Sequence, residues 1–127
     1  MAPALLGVSV AQLSLVVGLA VAEAIEAVAG CRALLKWPND VIVDDRKVAG
    51  ILLEADGGSV VCGIGVNVNQ TEAELPGDTK VPAGSLAVAT GSAHDRARLL
   101  GELLSNLERH YDVWRAQGLA PLLPALT

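Results

Sequence analysis

One strand of this 127-residue chain carries two glycines and an asparagine where a ligand could bind. Side chains alternate between the two faces of a strand, so Gly63, Gly65 and Asn67 share one face, opposite Ile64 and Val66. Glycine weakens a strand, and a pair of glycines on one face therefore indicates that something lies flat against the backbone. The pattern leaves open whether that neighbour is a ligand or a packed helix.

Lys47 is a second candidate for chemistry, at the beginning of another apolar strand. Alternation predicts that it shares a face with three residues expected in the core: Ala49, Ile51 and Leu53. A lysine at the end of an apolar stripe commonly extends its amine into water. On its own, the position of Lys47 therefore favours a surface residue.

The loop before the neighbouring strand offers groups that could act with Lys47. Asn39 and Asp40 lie in this loop, and the hairpin brings it near the far end of the lysine strand. A carboxylate and an amide suit a hydrated magnesium ion on a phosphate, and a lysine would supply complementary positive charge. A Pro-Asn-Asp sequence more commonly just forms a turn, so both interpretations stay open.

Helices and strands must position these residues. A first helix is predicted from the apolar spacing between Leu13 and Val28, with Gly30 as its end. Four strands follow, at residues 33–37, 41–43, 47–54 and 60–68. Pro38 ends the first, and short turns, including Asp56-Gly57-Gly58, predict antiparallel pairing of the last three.

The second half of the chain predicts one long helix. Residues 69–89 are expected to be mostly loop, and Ser92-Ala93-His94-Asp95 has the form of a capping box. The helix continues to Gly118, and Pro121 prevents its extension, with no further element expected. The whole is an α+β arrangement, an antiparallel or mixed sheet flanked by helices.

Composition narrows the classes of function. A net charge of -5 without a basic run argues against nucleic-acid binding. Cys31 and Cys62 form no CxxC pair, which predicts reduced thiols and a cytoplasmic protein. Residues 1–22 carry no charge, but their helical sidedness favours a core helix over a membrane span. His94 and His110 are expected to face solvent, and no metal-ligand spacing, Walker sequence or GxGxxG is present.

Three motifs resemble, in order and spacing, signatures of the biotin–protein ligase family. They are Lys36-Trp37-Pro38-Asn39-Asp40, Lys47-Val48-Ala49-Gly50-Ile51-Leu52-Leu53-Glu54 and Gly63-Ile64-Gly65-Val66-Asn67. One motif alone would be weak, but three in register are specific, and the likeness spans nearly all of the chain. The resemblance implies part of a fold like that of class II aminoacyl-tRNA synthetases and biotin synthetase.

The resemblance also implies a two-step reaction. Biotin and MgATP would give biotinyl-5′-adenylate and pyrophosphate, and the acyl group would then pass to a lysine of the biotin carboxyl-carrier protein of a carboxylase. Biotin, ATP and Mg²⁺ are thus the expected ligands, with neither nucleic acid nor membrane as partner. An exposed strand edge makes a homodimer a further expectation.

Each motif residue acquires an expected role from the family. Lys47 would be the catalytic lysine, contacting the biotin carboxylate and the α-phosphate, and no covalent enzyme intermediate is expected. Asn39 and Asp40 would place Mg²⁺ and ATP, while Trp37 would form a wall of the pocket. The backbone would approach the ligands at three glycines, and an amide would address the nucleotide: Gly50, Gly63, Gly65 and Asn67.

The chain departs from the family pattern at both ends. Residues 1–127 would be a partial catalytic domain, because none of the arginines lies in a glycine-rich loop like the one that folds over biotin in the family. The SH3-like domain and the DNA-binding helices of some members are likewise not recognisable. Two alternatives therefore stay open, a non-catalytic binding or dimerisation module and a lipoate-handling protein, although the Lys-Trp-Pro-Asn-Asp form favours biotin.

Overall fold

The computed structural model describes residues 8–37 and 39–126, with side chains from residue 10 onwards within these ranges. The strand end expected at Pro38 and the first part of the uncharged segment lie outside the described residues. The helices and strands are, in chain order, α1 (Val8–Ala29), β1 (Leu34–Lys36), β2 (Asp40–Val43), β3 (Arg46–Asp56), β4 (Ser59–Val66), α2 (Leu86–Thr90), α3 (Arg96–Gln117) and α4 (Leu123–Leu126). Short 3-10 helices lie at Glu72–Glu74 and Ala120–Leu122.

The strands form one sheet in the order β1-β2-β3-β4, with each neighbouring pair antiparallel. Two-residue turns connect the last three strands. Asp44 and Asp45 have φ angles of 51° and 62°, and Gly57 and Gly58 have φ angles of 56° and 90°. Positive φ at both central residues matches the twist of a tight hairpin. The predicted α+β class and both hairpins are therefore confirmed.

An extra residue in β3 changes the face on which Lys47 lies. Val41 pairs with Ala49, but Ile42 pairs with Lys47, so Val48 forms a bulge without a partner of its own on β2. A bulge interrupts the strict alternation of side chains. The prediction that Lys47 shares the buried face of Ala49 and the apolar residues beyond it is therefore wrong, and its side chain lies on the other face.

Helix α1 packs on both the sheet and α3, as predicted for a core helix. Its inward positions are fully buried: Val16, Ala20, Val21, Ala24 and Ile25. The segment Val10–Ala29 has the length and mean hydropathy of a membrane span, but 61% of its most apolar stretch is buried inside the structure. Gly18 lets the helix approach the sheet, because a Cβ there would lie 2.9 Å from Leu35 Cδ2.

Polar side chains tie α3 to α1 across the core. His110 is 5% exposed, and its Nε2 hydrogen-bonds Glu23 of α1. Trp114 Nε1 donates to Gln12 Oε1 over 3.0 Å. The expectation that His110 faces solvent is wrong, because the partner that permits its burial lies 87 residues away in sequence. His94, also expected in solvent, is half-buried with Nε2 2.7 Å from Thr90 Oγ1.

Three local predictions in the second half need correction. Asp95, not Ser92, caps α3, because its carboxylate accepts hydrogen bonds from the amides of Ala97 and Arg98. The segment expected to be loop contains α2, which is capped by the Ser85 hydroxyl. A 3-10 helix spans Pro121, and α4 follows it in the segment where no element was expected.

Candidate active site

Lys47 and Asp40 form an ion pair across the backbone of Gly50. The distance from Lys47 Nζ to Asp40 Oδ1 is 3.0 Å. Asp40 pairs directly with Gly50 in the sheet, and a Cβ at Gly50 would lie 3.2 Å from Lys47 Cε. The lysine stem therefore lies over a glycine that leaves room for it. The Lys47 side chain stays 43% exposed, so its amine remains open to a bound ligand.

A cleft of about 560 Å³ opens beside this ion pair. Its floor includes Gly65, which pairs with Gly50 and has no described atom within 4 Å of the place where a Cβ would be. The cleft is lined by strands on one side and by the loop after β4 on the other: Asp40, Lys47, Val48, Ala49, Gly50, Gly65, Asn67, Pro76, Thr79, Lys80, Val81 and Ala83. Bare backbone at its floor suits a flat ligand.

The loop that forms one wall of the cleft, called the loop wall (residues 76–83), is hydrogen-bonded to the backbone of Lys47. The Lys47 amide donates to the Pro82 carbonyl over 2.8 Å, and the Gly84 amide donates to the Lys47 carbonyl over 2.8 Å. These two bonds form a parallel bridge between Lys47 and Ala83. The backbone that presents the lysine amine on one side therefore holds the opposite wall on the other.

Arg46 holds the same loop through its guanidinium. Its Nε donates to the Ala83 carbonyl over 2.8 Å, and its two terminal nitrogens bind both oxygens of Glu72. The hydrogen bonds from Arg46 lower the pKa of the Glu72 carboxyl below its ordinary value. Gly84 packs directly on the arginine, since a Cβ there would lie 2.8 Å from Arg46 Cβ. This fork-like contact fixes the loop at a second point.

The Asn67 side chain also supports the loop. Its Nδ2 donates to the Gly84 carbonyl over 3.1 Å, and its Oδ1 accepts from Gln70 Nε2 over 3.3 Å. Asn67 lines the cleft, as its predicted role requires, but these contacts hold its amide in the protein framework. The part that it plays in holding the loop was not predicted.

A second, smaller pocket meets the cleft at Asp40. Its volume is about 180 Å³, and it lies between α1 and the first strands. Its lining is mostly apolar and includes three predicted site residues, Trp37, Asn39 and Asp40. The full set is Ser14, Leu15, Gly18, Leu35, Lys36, Trp37, Asn39, Asp40, Ile51 and Leu126. Trp37 is 63% exposed, with its ring at the surface of this pocket. Asp40 lines both spaces, whereas its partner Lys47 lines only the cleft.

The structure thus brings most of the predicted site residues to two adjoining spaces. Gly63 differs from the others, because it lies on the face of Gly65 but does not line the cleft. Sequence reasoning missed Arg46 and Glu72, which hold the loop, and Lys80, which lies on it and lines the cleft. Arg46 and Lys80 were visible only as scattered charges, and no local pattern in the sequence joins them to Lys47.

Comparison with known proteins gives this site a family. The model of the biotin/lipoate A/B protein ligase family matches residues 4–70, which include all three motifs. The bifunctional ligase/repressor BirA of Bacillus subtilis is 37% identical over 116 residues, covering 87% of this chain and 36% of the relative. The biotin–[acetyl-CoA-carboxylase] ligase of Mycobacterium tuberculosis is 42% identical over 106 residues, covering 81% of this chain and 38% of the relative.

Comparison with solved structures leads to the same family. The biotin protein ligase from Aquifex aeolicus, in complex with biotin and ATP, superposes with a TM-score of 0.84 at 34% identity, over 91% of this chain and 49% of that one. The chain therefore spans between about a third and a half of the length of these relatives. The likeness confirms the predicted kinship with the fold of biotin protein ligases and class II synthetases. By its sequence motifs, its fold and its site, the chain belongs to the biotin/lipoate A/B protein ligase family.

Proposed function

We propose that the chain carries the adenylation site of a biotin–protein ligase. Biotin would be activated by ATP as biotinyl-5′-adenylate, and the acyl group would then be transferred to a lysine of a biotin carboxyl-carrier protein. The observation that carries the proposal is the Lys47–Asp40 ion pair in an open cleft floored by Gly65, with Asp40 also lining an apolar pocket. Relatives named as biotin ligases, one of them solved with biotin and ATP, support this choice of ligands.

The two spaces suit the two substrates. The apolar pocket beside Trp37 would take the ring and chain of biotin, so that its carboxylate reaches Lys47. The cleft would take the nucleotide, with its flat parts against the bare backbone at Gly65, since the Lys47 stem covers Gly50. A carboxylate oxygen would then attack the α-phosphorus, and the bond from that phosphorus to the bridging oxygen would break, releasing pyrophosphate.

Lys47 would act by position and charge. A carboxylate and a phosphate repel each other, and a cation between them offsets the negative charge that accumulates as they react. Asp40 would hold the amine at this point, since the two side chains are already in contact at 3.0 Å. No nucleophile of the protein is required, and the gain in rate comes from holding the substrates together.

The donor groups present fit Mg²⁺ that arrives with ATP. Among the described residues, no group of three His, Cys, Asp or Glu side chains is placed to hold a metal. Magnesium in nucleotide sites is commonly bound through one or two carboxylates and the substrate phosphates, and Asp40 is the carboxylate in the cleft lining. Asp40 would hold the ion, with Asn39 beside it, and bound Mg²⁺ would neutralise and orient the phosphates.

The other parts of the proposal follow from the family and the sheet. Acyl transfer to the carrier protein would take place in the cytoplasm, where Cys31 and Cys62 would remain as free thiols. At the edges of the described sheet, β1 and β4 each have one neighbour, so either edge could pair with a second copy. The alternative is a module that binds biotin or self-associates without forming the adenylate.

Biotin-dependent exchange of labelled pyrophosphate into ATP tests the proposal. The 127-residue chain should catalyse exchange only when biotin is present, and Lys47→Ala should reduce the rate on the order of 100-fold or more. Arg115→Ala is the matched control, because it removes a positive charge from α3, which contributes no residue to the cleft. Biotin binding without exchange would favour the binding module, and exchange that survives Lys47→Ala would refute the role of the lysine.

A further inference from the structure

One of the charged residues that line the cleft has no ion-pair partner among the described residues. Of its twelve lining residues, three are charged, namely Asp40, Lys47 and Lys80. The first two form an ion pair with each other. Among the described residues, Lys80 takes part in no ion pair or side-chain hydrogen bond. The net positive charge of the cleft lining therefore comes from Lys80.

The backbone that carries Lys80 is held in place rather than hanging free. Just before Lys80, the Thr79 hydroxyl donates to the Val81 carbonyl over 2.7 Å, which closes a short turn around the lysine. Just after it, the carbonyls of Pro82 and Ala83 accept from Lys47 and Arg46. A cation on a fixed backbone loses less freedom when it binds an anion.

We propose that Lys80 binds the β- and γ-phosphates of ATP and then the pyrophosphate that leaves. This inference rests on the proposed adenylation and extends it to the leaving group. Lys47 is paired with Asp40, which lines both spaces, and is proposed to contact the carboxylate and the α-phosphate, so the rest of the polyphosphate would extend along the cleft. The electron pair of the breaking bond goes to the bridging oxygen, and the pyrophosphate that then gains charge faces the loop wall that carries Lys80.

The positive charge of Lys80 would contribute to ligand binding only if the ligand is an anion. Opposite charges attract more strongly near a protein surface than in bulk water, because the effective dielectric constant is lower there. Pyrophosphate carries several negative charges on a small volume, so removal of one direct cation should weaken its binding about ten-fold. AMP lacks the outer phosphates and should not respond.

Calorimetric titration of the 127-residue chain with ATP, inorganic pyrophosphate and AMP tests this assignment. Lys80→Ala should weaken ATP and pyrophosphate about ten-fold and change AMP less than two-fold. Lys80→Arg should retain most of the affinity, since it keeps the charge. Arg115→Ala again serves as the matched control and should leave all three affinities unchanged. Thermal unfolding of each variant shows that the fold is intact.

The outcomes separate this inference from the proposed function. Wild-type affinity for ATP in Lys80→Ala, an equal loss for AMP, or a wild-type chain that binds no pyrophosphate would each overturn the assignment of Lys80. If biotin-dependent exchange is absent but the selective loss of ATP and pyrophosphate persists, the adenylation proposal fails while Lys80 stands as a polyphosphate ligand. If exchange is present and Lys80→Ala also raises the KM for pyrophosphate, both are supported.

Discussion

Gly65→Val should make the protein more stable and at the same time poorer at binding nucleotide. Gly65 lies within β4 and lines the cleft, and a Cβ there would have no described atom within 4 Å. Glycine inside a strand costs about 0.5–1 kcal/mol relative to alanine, and valine is a better strand former still. Because the added Cβ meets no described atom, the gain in the free energy of unfolding should be of about that size.

The same side chain would stand where the ligand is proposed to lie. Forcing extra methyl groups into an occupied space typically costs about 1–3 kcal/mol, which corresponds to an affinity about 5- to 150-fold lower. Urea unfolding gives the stability and calorimetric titration with ATP gives the affinity. Gly101→Ala is the control, because it removes an exposed glycine from α3 and should add about 1 kcal/mol of stability without weakening ATP.

Two results would refute this reasoning. Unchanged affinity for ATP in Gly65→Val would show that no ligand lies against this strand. A loss of stability, rather than a gain, would show that another part of the protein occupies the space beside Gly65. The first result would refute the proposed ligand site and the second would refute the packing around Gly65, so each measurement tests a separate part of the prediction.

Three further predictions concern the supports of the site and the core. Arg46 lowers the pKa of the Glu72 carboxyl, so their ion pair is complete above the ordinary carboxyl pKa and is lost as the pH falls through the lowered value. Amide exchange of residues 76–84, corrected for intrinsic rates, should accelerate in that pH range, and also in Glu72→Gln at neutral pH. Equal protection in either case would show that the Arg46–Glu72 pair does not hold the loop. His110→Leu should lower the free energy of unfolding in urea by about 1–3 kcal/mol, since it leaves the half-buried carboxylate of Glu23 without this partner. An unchanged urea midpoint would show that the His110–Glu23 pair contributes nothing to stability. Gly63→Ala should leave the affinity for ATP within about two-fold of wild type, because Gly63 lies outside the cleft lining; a loss as large as that expected for Gly65→Val would restore its predicted contact with ligand.

The parts of the fold that depend on local chemistry could be predicted from the sequence. Asp56-Gly57-Gly58 specifies a hairpin because glycine adopts positive φ at low cost, and the structure has this turn. The buried face of α1 follows from the spacing of its apolar residues in the same way. Motifs close together along one hairpin, such as those containing Asp40 and Lys47, also end close together in space.

What could not be predicted depends on register and on distant partners. A single bulge at Val48 moves Lys47 to the other face, and no residue in that apolar run announces it. His110 is buried because Glu23 lies opposite it, which only the packing of α3 on α1 reveals. The loop wall around Lys80 has no periodicity, so its place beside the site comes from hydrogen bonds to Lys47 and Arg46.

We propose above that this chain joins biotin to the α-phosphate of ATP beside Lys47. Mass spectrometry of the 127-residue chain incubated with biotin, ATP and Mg²⁺ would detect this product itself, because biotinyl-5′-adenylate has a mass of its own and needs no carrier protein to be detected. The adenylate should form with the wild-type chain and with Arg115→Ala, and should be lost with Lys47→Ala. Adenylate at equal levels in Lys47→Ala, or none from a folded wild-type chain that binds both biotin and ATP, would contradict the claim.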